Sequence, residues 1–133
     1  MAEERPTRAL SLTVTSWVLQ AVGAAVFLLV GAGKLLSWPD HVATFTEIGV
    51  GQWLRYAVGA AEVVGGAILL VPRTSGLAAL GLAVIAAGAA LTHVFVLMDQ
   101  GWALPLALTA AMAAVAWIRR PETARLIGRG TVF

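Results

Sequence analysis

The sequence predicts an all-α integral membrane protein. The expected form is a four-helix bundle of up-down topology with both termini cytoplasmic and a short amphipathic helix on the outer surface between the first two spans. Three observations carry that expectation. Apolar residues make up 59% of the 133-residue chain and charged residues 12%, roughly half the charged share of a soluble domain. Four long intervals are almost free of charge: Ala9 to Gly33, Tyr56 to Pro72 broken only by Glu62, Thr74 to Met98, and Gln100 to Ile118. None of them shows the polar face at 3.6-residue spacing that a helix of a water-soluble bundle needs. The length suits a single transmembrane domain over residues 1–133.

In order, the spans fall at about residues 12–36, 53–72, 75–98 and 102–118, each within the roughly 17–25 residues that cross a bilayer at ~1.5 Å per residue. The first apolar run is too long for a signal peptide and lacks a cleavage site, so it is expected to be retained. Next comes Ser37-Trp-Pro-Asp40, a capping-box-like helix start with Pro near the first turn. Val42, Phe45, Ile48 and Gly49 then share a face opposite Asp40 and Glu47, which predicts the short surface helix. Pro72 to Gly76 is a tight turn in which Thr74 or Ser75 is placed to cap the third span. Asp99-Gln-Gly101 is a second tight turn. Gly59, Gly65 and Gly66, with the alanines of spans three and four, permit close helix approach. The basic tail, 119–133, is expected to rest on anionic headgroups.

Orientation follows from the basic residues. With cytoplasmic termini, Arg5, Arg8, Arg73, Arg119, Arg120, Arg125 and Arg129 lie inside, and only Lys34 and Arg55 outside, a positive-inside bias. Trp17 and Trp117 then fall at the inner boundary and Trp38, Trp53 and Trp102 at the outer one, the depth amphipathic rings prefer. The expected location is the plasma, or inner, membrane, multi-pass.

The chemistry is narrow. A net charge of +2 without a basic stripe argues against a nucleic-acid partner, and with no Cys the chain performs no thiol chemistry itself. No phosphate-binding loop or Ser-His-Asp set is present, and one intramembrane carboxylate with one His does not make a metal site. Glu62 is the one acidic residue inside the spans, where a charged carboxylate costs at least ~2.5–3.5 kcal/mol without a partner. It lies roughly 13 Å below the outer interface and His93 roughly 8 Å. Lys34, Arg55, Tyr56 and Thr92 share that half, whereas the inner half holds only Gln20 and hydroxyls. Together Lys34, Arg55, Tyr56, Glu62, Thr92 and His93 predict an outward-facing polar pocket, with Glu62 and His93 the candidate acid/base pair. Each also has a structural reading: Glu62 and His93 as interhelical hydrogen-bonding groups, Lys34 and Arg55 as side chains snorkelling to headgroups. Glu62 is expected to be protonated at neutral pH unless Lys34 or Arg55 turns inward to meet it.

Gly31-Ala-Gly-Lys34-Leu35, the element Gly59-Ala-Ala-Glu62-Val-Val-Gly65-Gly66, and Arg73 to Ala79 followed by Ala90 and His93 together resemble the DoxX-like family of small four-span membrane proteins. The resemblance covers about Phe27 to Met98. It implies a four-helix membrane protein, links to quinone reduction, thiol or oxidative-stress complexes and catabolic operons, and polar positions at Lys34, Glu62 and His93. Three functions are carried forward. The first is an accessory subunit with a pocket for a quinone or similar lipophilic ring, working with a partner membrane subunit or as a homo-oligomer among membrane lipids. The second is an assembly factor or chaperone for another membrane protein. The third is an intramembrane isomerase-like enzyme.

Overall fold

The computed structural model describes residues 4–130, with side chains described for 9–128. The side chains of Arg5, Arg8 and Arg129, used in the orientation argument, lie outside the described residues, as does the tail beyond Gly130. Among the described residues the chain is all-α, with no strand. Six α-helices follow in order: α1 (Glu4–Leu35), α2 (Pro39–Ile48), α3 (Gln52–Leu69), α4 (Ser75–Thr92), α5 (Ala103–Ile118) and α6 (Arg120–Gly130), with α4 running on into a π-helical turn at His93–Leu97.

The four longer helices enclose one core. α1 packs on α3 and α5, and α4 packs on α3 and α5. Phe27, Leu69, Leu82, Met112 and Val115 are fully buried at the centre, and Ala24, Ala79, Ala83 and Ala86 keep the helices close around them. Glycines set the tightest approaches. A Cβ on Gly31 would lie 2.9 Å from the Gly59 carbonyl oxygen, and one on Gly59 would lie 3.0 Å from the Gly31 carbonyl oxygen. Backbone therefore meets backbone where α1 crosses α3, as small-residue positions allow.

α3 is turned inside out. Its buried stripe is Arg55, Gly59, Glu62, Gly66 and Leu69, the i, i+4, i+7 spacing of one helical face. Its outer surface carries Trp53, Val64 and Ile68, all exposed. Charge inside and hydrocarbon outside is the distribution of a helix whose surroundings are apolar.

By length and composition, Ala9–Leu35 and Ser75–Leu97 are each long and apolar enough to cross a membrane. A third candidate arises if α5 and α6, bent by 61° at their junction, count as one span. α3 is less apolar over its 18 residues, which include Gln52, Arg55 and Glu62, and α5 has only 16 residues.

Local chemistry departs from expectation at three ends. Ser37 does not cap α2: Trp38 is the N-cap residue, without a side-chain cap bond, and Pro39 supplies the first turn. Ser37 instead closes α1 in the left-handed region at φ 60°, with Trp38 N–H donating to the Gly33 carbonyl at 3.0 Å, a Schellman-type end. Thr74 holds the N-cap position of α4 as expected, but neither its side chain nor that of Ser75 makes a cap bond. Thr74 turns back to the carbonyls of Ile68 and Val71, and Ser75 donates to that of Pro72 at 3.1 Å. The third departure is the basic tail, which continues as helix α6 after the 61° bend. Gly76 packs where that bend returns the chain to α4. A Cβ there would sit 2.3 Å from Thr123 Oγ1 and 3.2 Å from the Arg119 carbonyl oxygen.

Candidate functional site

The short helix expected between the first two spans is present as α2. It stops at Gly49, whose left-handed φ of 79° lets its N–H reach back to the Phe45 carbonyl. The apolar face of α2 turns onto the other helices: Phe45 is buried, and Val42 and Ile48 are half-buried. Beneath it lies a cavity of about 520 Å³, half open, with mostly apolar walls that include Phe27, Phe45 and Leu108. Its polar lining comes from α1 (Lys34), α2 (Asp40, His41, Thr44), α3 (Glu62) and the end of α4 (Thr92, His93).

At the α1–α3 crossing, Glu62 Oε1 lies 2.8 Å from Lys34 Nζ, and their side chains are only 6% and 14% exposed. Oε1 has no other partner among the described residues. The Gly31–Gly59 approach makes this contact, since a Cβ on Gly31 would lie 3.0 Å from Glu62 Cβ and one on Gly59 would lie 2.8 Å from Lys34 Cβ. Lys34 thus turns inward, and Glu62 is one half of a buried ion pair. Removing either partner of such a pair costs about 3–5 kcal/mol, because the other is left uncompensated.

Four of the six expected residues, Lys34, Glu62, Thr92 and His93, line this one cavity. Arg55 and Tyr56 do not. Arg55 is buried, but its NH1 donates to the Lys34 carbonyl and, at 2.9 Å, to Ser37 Oγ, and its Nε donates to Gln52 Oε1 at 2.6 Å. The guanidinium therefore fastens the end of α1 to α3 rather than meeting Glu62, although their i−7 spacing places both on one face. Tyr56 is exposed under that guanidinium, 4.2 Å from its ring centroid, with its OH 3.3 Å from Ser37 Oγ. Thr92 donates to the Gly88 carbonyl at 2.7 Å, leaving its oxygen lone pairs for the cavity.

His93 pairs with Asp99 rather than with Glu62: Nδ1 is 2.7 Å from Asp99 Oδ1, which also accepts the Gly101 N–H at 2.8 Å. Those two contacts hold the Asp99 carboxyl below the usual carboxylate range, the backbone donor contributing more. His41, which sequence reasoning left alone in its segment, stands at the cavity wall beside Trp38, ring centroids 6.2 Å apart. Burial, then the nearby Lys34 and Arg55 charges, push its imidazole below the ordinary His value and favour the neutral ring, with Asp40 opposing. No three His, Asp or Glu side chains among the described residues converge as metal ligands do. The cavity offers an ammonium donor, two carboxylates, two imidazoles and hydroxyl oxygens around an apolar volume, which suits a lipophilic molecule with a polar head.

A second polar cluster lies at the α6 end. Ser16 Oγ donates to Gln20 Oε1 at 2.5 Å, Gln20 Nε2 donates to the Leu69 carbonyl at 2.9 Å, and Arg119 Nε reaches both Ser16 Oγ and Gln20 Oε1 at 3.0 Å. Sequence reasoning assigned that half only Gln20 and hydroxyls. The overlooked signal was Gln20 itself, a polar side chain inside an apolar run that must find a partner.

Residues 18–115 match the DoxX-like family. No curated protein and no solved structure matches the chain.

Proposed function

The chain belongs to the DoxX-like family, and on that premise we propose that it is an accessory subunit of a membrane redox or stress-response system, binding a quinone or similar lipophilic ring beneath α2. The observation that carries this reading is the 520 Å³ apolar cavity with the buried Lys34–Glu62 pair in its wall. A buried ion pair contributes little net stability compared with apolar side chains of the same volume, so its presence beside an open cavity fits ligand recognition better than folding. The Lys34 ammonium has no described partner besides Glu62 and so keeps donors for a carbonyl or hydroxyl head.

In this reading α1, α3, α4 with its π-turn, and α5 are four spans of an up-down bundle in the plasma membrane. Both termini are cytoplasmic, and the cavity opens outward. The inside-out α3 and the seven-to-two basic asymmetry support it. Because the chain has no native Cys, single cysteines report sidedness: in right-side-out vesicles an impermeant maleimide should label Gln100→Cys and spare Arg73→Cys. The converse pattern would refute the orientation.

The binding test is a quinone titration read by intrinsic tryptophan fluorescence. Wild type should saturate and Glu62→Gln should lose at least tenfold in affinity. Equal responses from the two proteins would sink the reading.

A further inference from the structure

The turn that follows α4 is built around one imidazole. The chain widens into the π-helical turn His93–Leu97, Met98 takes a left-handed φ of 52°, and Asp99 N–H returns to the His93 carbonyl at 3.1 Å. That path brings the Asp99 carboxylate back to His93 Nδ1 at 2.7 Å, while the Gly101 N–H holds the same oxygen at 2.8 Å. Gly101 is required for the fit. A Cβ there would lie 2.6 Å from both Cε1 and Nδ1 of the ring, so any side chain would push the imidazole off the carboxylate.

An ionised carboxylate only accepts hydrogen bonds. The nitrogen facing Asp99 must therefore carry the proton, and in the neutral ring this leaves Nε2 as a bare acceptor. No described residue pairs with Nε2, and His93 lines the cavity. We propose that Asp99 is a positioning residue that fixes His93 as the Nδ1–H tautomer, so that Nε2 accepts a hydrogen bond from a ligand hydroxyl. The cavity would accordingly hold a lipophilic phenol or quinol more tightly than the same ring with its hydroxyl blocked, while a quinone carbonyl is left to the Lys34 ammonium. This rests on the ligand-binding reading of the cavity and narrows its ligand class.

The test uses 4-hexylphenol and its methyl ether, 4-hexylanisole, titrated calorimetrically into the full chain in detergent micelles at about pH 8. Wild type should bind the phenol about tenfold more tightly than the ether, and the ratio should fall to about one in His93→Phe and close to it in Asp99→Ala and Gly101→Ala. Histidine 15N spectra, with His41→Asn separating the two rings, should show the Nδ1–H tautomer for His93 in wild type and a shift toward Nε2–H in Asp99→Ala. Failure of both probes to bind would overturn the cavity reading and this inference with it. Equal binding of phenol and ether would leave the cavity reading standing and overturn the inference alone. A wild-type His93 that carries its proton on Nε2, or a phenol preference that survives in both Asp99→Ala and His93→Phe, would overturn it as well.

Discussion

The two polar clusters of this protein use similar residues to opposite ends. At the α6 end, Ser16, Gln20 and Arg119 interlock with one another and with the Leu69 carbonyl, and Ser16 and Gln20 are 0% exposed. At the α2 end, Lys34, Glu62 and His93 border about 520 Å³ of space. Apart from Arg119 Nη2, which has no partner among the described residues, the groups that hold helices together here are closed upon themselves, because an unused donor or acceptor in the core is destabilising. Groups kept facing a cavity retain donors and acceptors for something else. The first cluster reads as architecture and the second as recognition.

That contrast can be broken experimentally. The largest effect should come from Glu62→Leu, which strands Lys34 and should lower unfolding free energy by about 3–5 kcal/mol. Lys34→Met/Glu62→Leu should recover most of that stability while still failing to bind quinone. A double variant that stays as unstable as the single one would make the pair architectural too. Arg119→Ala should cost about 1–3 kcal/mol by leaving Ser16 and Gln20 short of a donor, with quinone affinity within twofold of wild type, as read by denaturant melts and fluorescence titration. A large loss of affinity would erase the division between the clusters. Gly31→Ala drives a methyl to within 2.9 Å of the Gly59 carbonyl oxygen and should cost about 1–3 kcal/mol through overpacking. By prising Lys34 from Glu62, it should weaken binding more than Arg119→Ala does.

The smallest effect is in pH. The His41 imidazole is held below its ordinary value in the fold, so the unfolded chain binds its proton first. Stability is then fully present above about pH 6.5 and declines as pH falls from there through the lower folded value. Asp99 is likewise held low. Its contribution is complete above the usual carboxylate value of ~3.9 and is lost only as pH falls further, through its folded value. Melting curves between about pH 8 and pH 5 should show the first decline in wild type and a flatter profile in His41→Gln.

The helical class, the short helix after α1 and the gathering of Lys34, Glu62 and His93 around one cavity were legible in the sequence. An apolar composition and an expensive carboxylate announce themselves without coordinates. What stayed hidden depended on where chain ends turn. Arg119 looked like a flanking charge at the end of an apolar run, and the packing of α5 on α1 brings it to Ser16 and Gln20. Asp99 stands six residues from His93, a spacing no α-helix brings together, and the π-turn alone makes them neighbours. Arg55 shared a face with Glu62 on paper, yet the Lys34 carbonyl in the last turn of α1 offered its guanidinium an acceptor.

The inside-out character of α3 also bears on how the protein is made. Alone in a translocation channel, α3 would present Arg55 and Glu62 to lipid and gain little by leaving water, whereas α1 enters readily but carries Lys34 at its end. In the proposed four-span arrangement each supplies what the other lacks. The two should therefore leave the channel as one hairpin, with α1 held at the channel until Glu62 has emerged from the ribosome.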